Sequence, residues 1–200
     1  MRVGITGLMA SGKSEVCNYF KRAGYPVLFM DKVGHELLEE KQYIKKLTSV
    51  FGSQILDEYG AINRKILSQI VFQDEEKLNI LNSILHPEMN KRAIKWMKKE
   101  FEQGVKTVII EAAILFEMQM DSFLDFIVHV KAPQRDIVER VMAKSNKSEA
   151  EIIAILKTQK IEEDKTDYVI INEGSLEALY SKCSRLEKHL VGILIKKNLT

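Results

Sequence analysis

Cysteine is scarce: the 200 residues hold two, Cys17 and Cys183. A distant pair supplies neither a disulfide framework nor the spacing of metal ligands, and such sparing use suits a reducing cytoplasm. Cys17 reads as a small buried apolar residue. The three prolines stand at expected element starts: Pro26 at a strand, Pro87 in a helix first turn and Pro133 near another helix start. No apolar run is long enough to span a bilayer, since the longest, near residues 108–116, is broken by Glu111. Met1-Arg2 leads straight into a strand pattern, and no signal peptide is visible. Neither sign of charge dominates: 30 basic and 28 acidic residues leave a formal net charge of +2. That balance gives no strong field for nucleic acid or membrane. Internal repeats and low-complexity segments are also missing.

What is present is an ordinary globular mixture, 46% hydrophobic and 29% charged. The length suits one compact domain, residues 1–200, or one core with an insertion. Residues 2–6 form an apolar strand. Residues 13–23 have helical spacing at Val16, Tyr19 and Phe20 and stop at Gly24. Residues 25–30 form a second strand, which completes a βαβ unit and implies parallel pairing. From 32 to 103 no strand pattern appears. Helices are expected over 32–40, 41–51, 63–73, 74–85 and 87–103, as an insertion beside the core. Continuous apolar runs at 105–110 and 126–130 then read as strands covered on both faces. Helices over 133–144 and 148–160, a last strand over 168–171 and a terminal helix capped by Ser175 complete the chain. Five strands alternating with helices give a three-layer α/β fold with a mostly parallel sheet.

The chemistry is concentrated in residues 7–14, Gly-Leu-Met-Ala-Ser-Gly-Lys-Ser, between a strand and a helix. Gly7 and Gly12 allow backbone angles that other residues resist. Successive N–H groups of Met9, Ala10, Ser11, Gly12, Lys13 and Ser14 can then cradle phosphate oxygens at a helix N-terminus. In such a P-loop the lysine, here Lys13, reaches the β- and γ-phosphates and the serine, Ser14, holds Mg²⁺. Lys13 is expected to face solvent when no nucleotide is bound. The motif points to ATP and Mg²⁺, and no Asn-Lys-x-Asp base-reading motif of GTPases accompanies it. After the second strand stands one acid, Asp31, at the carboxyl edge where doubly wound folds bind ligands. It can act as a base toward an acceptor hydroxyl or as a helix N-cap, and both readings stand. Glu111 closes a buried strand, where a carboxylate is costly without a partner such as hydrated Mg²⁺.

Over nearly its whole length the sequence resembles the dephospho-coenzyme A kinase family of P-loop small-molecule kinases. The resemblance rests on the P-loop and Asp31, on Gly60-Ala-Ile-Asn-Arg64, and on Ile70-Val-Phe72. It continues through Asp74-Glu-Glu-Lys77, Leu81-Asn-Ser-Ile-Leu-His86-Pro87 and Ile114-Leu-Phe-Glu117. It ends with Arg140, Gln159 and Asp167-Tyr-Val-Ile-Ile-Asn172-x-Gly174. The resemblance implies ATP-dependent phosphorylation of the ribose 3′-hydroxyl of dephospho-coenzyme A, the last step of coenzyme A synthesis. It further implies that residues 32–103 help hold the acceptor, that 140–160 form a lid, and that Asn172 belongs to the ATP site. Arg64, His86 and Glu111 are the acceptor-side candidates. Arg64 has a planar fork suited to phosphate, and Arg140 is expected to share a helix face with Lys144 as a phosphate clamp. Asp31, Lys13 and Arg140 would carry the transfer.

The chain departs from the family pattern in four places. Phe29 replaces the first of two acids after strand two, Glu111 and Ala113 replace an Asp and a Pro, and Lys144 replaces an Arg. The stretch from Gln159 to Asp167 is shorter and lacks an arginine. Phe29 and Glu111 keep alive another small-molecule kinase, of nucleoside or nucleotide type; a non-catalytic nucleotide-binding regulator is the second rival, and an intact Asp31 argues against it. His35, His129 and His189 receive no role. A monomer or small homo-oligomer is expected.

Overall fold

The computed structural model describes residues 1–145, 147–159 and 161–197. Its core is a five-stranded parallel sheet in the order β2-β3-β1-β4-β5, built from β1 (Arg2–Thr6), β2 (Val27–Phe29), β3 (Val108–Glu111), β4 (Phe126–Lys131) and β5 (Tyr168–Ile171). β1 lies at the centre, with Ile5 opposite Glu111 on one side and Val128 on the other. Val3, Ile5, Ile109, Ile110, Val128 and Val130 are all buried. Alternation cannot show in strands covered on both faces, which is why these read as continuous apolar runs.

The helices are α1 (Lys13–Arg22), α2 (Met30–Glu39), α3 (Lys41–Phe51), α4 (Arg64–Phe72), α5 (Glu75–Glu102), α6 (Gln134–Met142), α7 (Glu149–Thr158) and α8 (Leu176–Lys197). None is long and apolar enough to cross a membrane. Two strands start later than the sequence predicts, for one reason. After α1, Gly24 takes φ 90° and the Tyr25 N–H bonds Phe20 O. After α5, Gly104 takes φ 87° and the Val105 N–H bonds Glu100 O. Each apolar residue therefore closes the preceding helix in a glycine-based C-cap instead of opening the strand.

Contacts divide the chain into two units, residues 1–28 with 96–200, and residues 29–95. The second unit holds α2, α3, α4 and most of α5 around Val33, Leu37, Leu47, Ile55, Leu67, Leu85 and Met89, all buried. Arg92 joins this unit's helices by ion pairs to Glu40 and Glu88. Asn63 caps α4, its side chain accepting from the Ile66 N–H at 3.2 Å. Asp74 caps α5 in the same way, accepting from Lys77 N–H at 3.1 Å.

The two helices expected over 74–85 and 87–103 are one helix of 28 residues, with Pro87 inside it. His86 consequently sits in mid-helix and not at a junction. An internal proline costs about 3 kcal/mol through a lost backbone bond and a ring clash. Here Leu85, Met89, Ala93 and Met97 are buried at four-residue spacing. Burying a leucine or methionine side chain contributes about 1.5–3 kcal/mol, so Leu85, Met89 and Met97 together outweigh the proline and carry the helix through it.

Candidate active site: the P-loop and its supports

The loop after β1 follows from three backbone angles. Gly7, Ala10 and Gly12 have φ of 152°, 54° and 103°, and the Ser11 N–H turns back to Leu8 O. Gly12 is the left-handed N-cap of α1, and no side chain caps that helix start. The first N–H groups of α1 and the positive end of its dipole therefore point to whatever anion occupies the loop. A Cβ at Gly7 would lie 2.3 Å from Val130 O, which is backbone and cannot swing aside. Gly7→Ala is accordingly expected to cost about 2–3 kcal/mol, read as a lower urea midpoint. An unchanged midpoint would mean that the loop tolerates another path.

Lys13 corrects an expectation. It is 7% exposed, and its Nζ donates to Gly7 O at 2.8 Å and Leu8 O at 3.0 Å. The ammonium lies folded onto its own loop, because a buried charge needs hydrogen-bond partners. Ser14 is exposed in the first turn of α1 and Ser11 is fully buried. Asn172, also buried, donates from Nδ2 to Ser11 O at 2.8 Å. Its position directly beyond β5 makes it a support of the loop. Arg140 donates from Nη1 to Ala10 O at 3.1 Å, so the last turn of α6 reaches the loop as well. Lys144 is not on the same helix face, since α6 ends at Met142 and Ala143 is its C-cap.

Glu111 is buried at the end of β3. Burial, and secondarily the Glu111 carboxylate, hold the Cys17 thiol well above its ordinary value, while Lys13 acts in the opposite direction. Burial also pushes the Cys183 thiol up, to about 12. Neither thiol is suited to nucleophilic chemistry.

The remaining candidates belong to the 29–95 unit. Asp31 is exposed, second in α2 and two residues past β2. The N-cap of α2 is Phe29, with no side-chain cap bond, so the capping reading of Asp31 is withdrawn. Arg64 is exposed at the first position of α4. His86 is half-buried, and burial lowers its pKa.

Two groups received no role of their own in the sequence reading. Gln159, directly after α7, accepts the Met9 N–H on its Oε1 at 2.9 Å. His129 is buried in β4, and its Nδ1 has no hydrogen-bond partner among the described residues; the same holds for Ser11 Oγ. Both line a cavity of about 280 Å³ with Leu8, Lys131, Gln159 and Glu163. Burial first, then the Lys131 charge, lowers the His129 pKa. Its one visible signal was a lone polar side chain inside an apolar strand. His189, by contrast, packs its ring on Phe126 and Tyr168. The lid over 140–160 is what the family resemblance implies, and its polar break Ser145-Asn146-Lys147 would serve as a hinge; Asn146 and Lys160 lie outside the described residues.

Comparison with known proteins gives the same outline. The family model described as dephospho-CoA kinase matches residues 1–178. A dephospho-CoA kinase of Dehalococcoides mccartyi is 35% identical over 190 residues, which span 93% of this chain and 96% of that protein. Among solved structures, a Thermus thermophilus protein superposes with a TM-score of 0.77 at 30% identity, over 98% of this chain and 97% of the other. A dephospho-CoA kinase from Campylobacter jejuni gives 0.71 at 25% identity, over 94% and 96%. With a P-loop at the end of β1 and a family match over most of its length, the chain belongs to the dephospho-CoA kinase family.

Proposed function

We propose that this protein transfers the γ-phosphoryl group of ATP to the ribose 3′-hydroxyl of dephospho-coenzyme A, forming coenzyme A and ADP. The single observation that carries the reading is the family match over residues 1–178, which includes the P-loop, the His86-Pro87 stretch and Asn172. In the reaction, a bond forms between the acceptor oxygen and the γ-phosphorus, and the bond to the β,γ-bridging oxygen breaks. The hydroxyl proton passes to Asp31. Lys13 leaves the carbonyls of Gly7 and Leu8 for the β- and γ-oxygens, and Arg140 adds a second cation. Such transfer needs positioning and charge stabilisation more than covalent help.

The backbone N–H groups of Ala10, Ser11, Gly12, Lys13 and Ser14 cradle the phosphates, Met9 lines the loop with its N–H held by Gln159, and Asn172 lies behind. Among the described residues no group of three or more His, Cys, Asp or Glu could hold a metal by itself. That fits Mg²⁺, which binds through few protein ligands plus the nucleotide phosphates. The Ser14 hydroxyl would hold it directly and Glu111 through water. When bound, it neutralises charge on the β- and γ-oxygens. Arg64 and His86 would contact the acceptor, residues 32–103 would form its binding region, and 140–160 would close over ATP.

The test is ADP release with ATP·Mg²⁺ and a panel of acceptors. Dephospho-coenzyme A is expected to give the highest kcat/KM. If it gives no product while a nucleoside does, Phe29 and Glu111 mark a kinase with another acceptor. If no acceptor works, the protein is a nucleotide-binding regulator.

A further inference from the structure

The turn at Met9–Ala10 is the least self-sufficient part of the loop. Ala10 has a Cβ yet takes φ 54°, a left-handed conformation that non-glycine residues adopt only when their surroundings impose it. Packing supports the turn on one side only, where Leu8, Met9 and Ala10 lie against buried residues of α6 and α7. Leu8 and Ser11 border the cavity of about 280 Å³, and a void forfeits the contacts that dense packing would supply. Nor does the Ser11 hydroxyl tie the loop down, since its Oγ has no partner among the described residues.

Two side chains hold the turn at its ends. The Met9 N–H donates to Gln159 Oε1 at 2.9 Å, and Ala10 O accepts from Arg140 Nη1 at 3.1 Å. The supports come from elements that are themselves fixed. Ser148 and Glu151 form a capping box at the start of α7. Ile152 and Leu156 of α7 are buried with Ile137, Val138 and Val141 of α6, and Leu8, Met9 and Ala10 pack against that cluster. At the far end, the Gln159 N–H bonds Leu156 O at 3.3 Å as the C-cap of α7. The chain around Gln159 is thus held by the helix it terminates, with the side chain directed at the loop.

We infer that Gln159 is a positioning residue for the phosphate-binding loop: its carboxamide oxygen, opposite Arg140, holds the strained Met9–Ala10 turn in the conformation that receives ATP. The inference rests on the reading of this loop as the ATP site. In ligand-free protein the brace keeps the turn formed, so that binding energy is not spent on folding it. Loss of the brace therefore weakens ATP binding more than it slows the chemical step.

The test replaces Gln159 by methionine, which has similar length and no comparable acceptor, and by glutamate, which keeps an acceptor oxygen. In ligand-free protein, exchange of the Met9 amide, followed by nitrogen-15 NMR, should be about tenfold faster in Gln159→Met. It should stay near the parent rate in Gln159→Glu. The KM for ATP of Gln159→Met should rise about three- to tenfold, with kcat within about twofold. Unchanged Met9 exchange in Gln159→Met would overturn the proposal. A lower KM for ATP would also overturn it, because Gln159 would then compete with phosphate for the Met9 N–H. The exchange readout uses no nucleotide, so it stands or falls apart from the kinase reading. Should Gln159→Met not fold, Gln159→Ala gives the same exchange comparison.

Discussion

Replacing Lys13 by alanine is expected to lower phosphoryl transfer by about 10³-fold or more, the scale on which fixed charges act in such transition states. Lys13 Nζ donates to Gly7 O at 2.8 Å and to Leu8 O at 3.0 Å, which places its charge on the loop itself. The substitution also removes charged hydrogen bonds from two loop carbonyls, each worth about 1.5–3 kcal/mol. Alanine is therefore expected to lower the melting temperature as well as the rate. Lys13→Met separates the two effects, since it retains the buried aliphatic stem while removing the charge. Turnover per folded molecule should fall equally in both variants, with the methionine form the more stable. Near-parent turnover in a folded Lys13→Met protein would remove the P-loop from the mechanism.

Asp31→Asn is expected to lower turnover by about 10² to 10⁴, the usual contribution of a positioned general base. Where the resemblance implies two acids after the second strand, this chain has Asp31 alone, with Phe29 at the other position. The substitution keeps the side chain's shape and removes its basicity. Since Asp31 is exposed and Phe29 is the N-cap of α2, the melting temperature should change little. The KM for ATP should also hold. A variant that keeps its turnover would free Asp31 of the role and leave Glu111, buried at the end of β3, as the next base to test.

The P-loop was legible because its signal is local: two glycines, a lysine and a serine at fixed offsets between a strand and a helix. The five strands were legible because short apolar runs are a local signal too, and β5 falls on residues 168–171 as read. Features set by tertiary structure were not. Pro87 signals a helix start, yet the buried stripe through Leu85, Met89, Ala93 and Met97 carries α5 across it. Lys13 gives no sign in the sequence that it folds back onto two carbonyls. Ala10 carries no glycine to announce its positive φ, and the residues that impose it, Arg140 and Gln159, lie far along the chain. Gln159 could be picked out by resemblance, but its bond to Met9 has no periodic or spacing signature. His129 was passed over because it stands apart from the other histidines in the sequence; only coordinates show that its buried Nδ1 lacks a partner among the described residues.

The central claim is that the phosphoryl group goes to the ribose 3′-hydroxyl of dephospho-coenzyme A. It is tested most directly by comparing that acceptor with its 3′-deoxy analogue under ATP·Mg²⁺, following the mass of the acceptor product. The account predicts a gain of one phosphate on dephospho-coenzyme A and none on the 3′-deoxy compound. Equal phosphorylation of both would place the transfer at another hydroxyl and contradict the assignment.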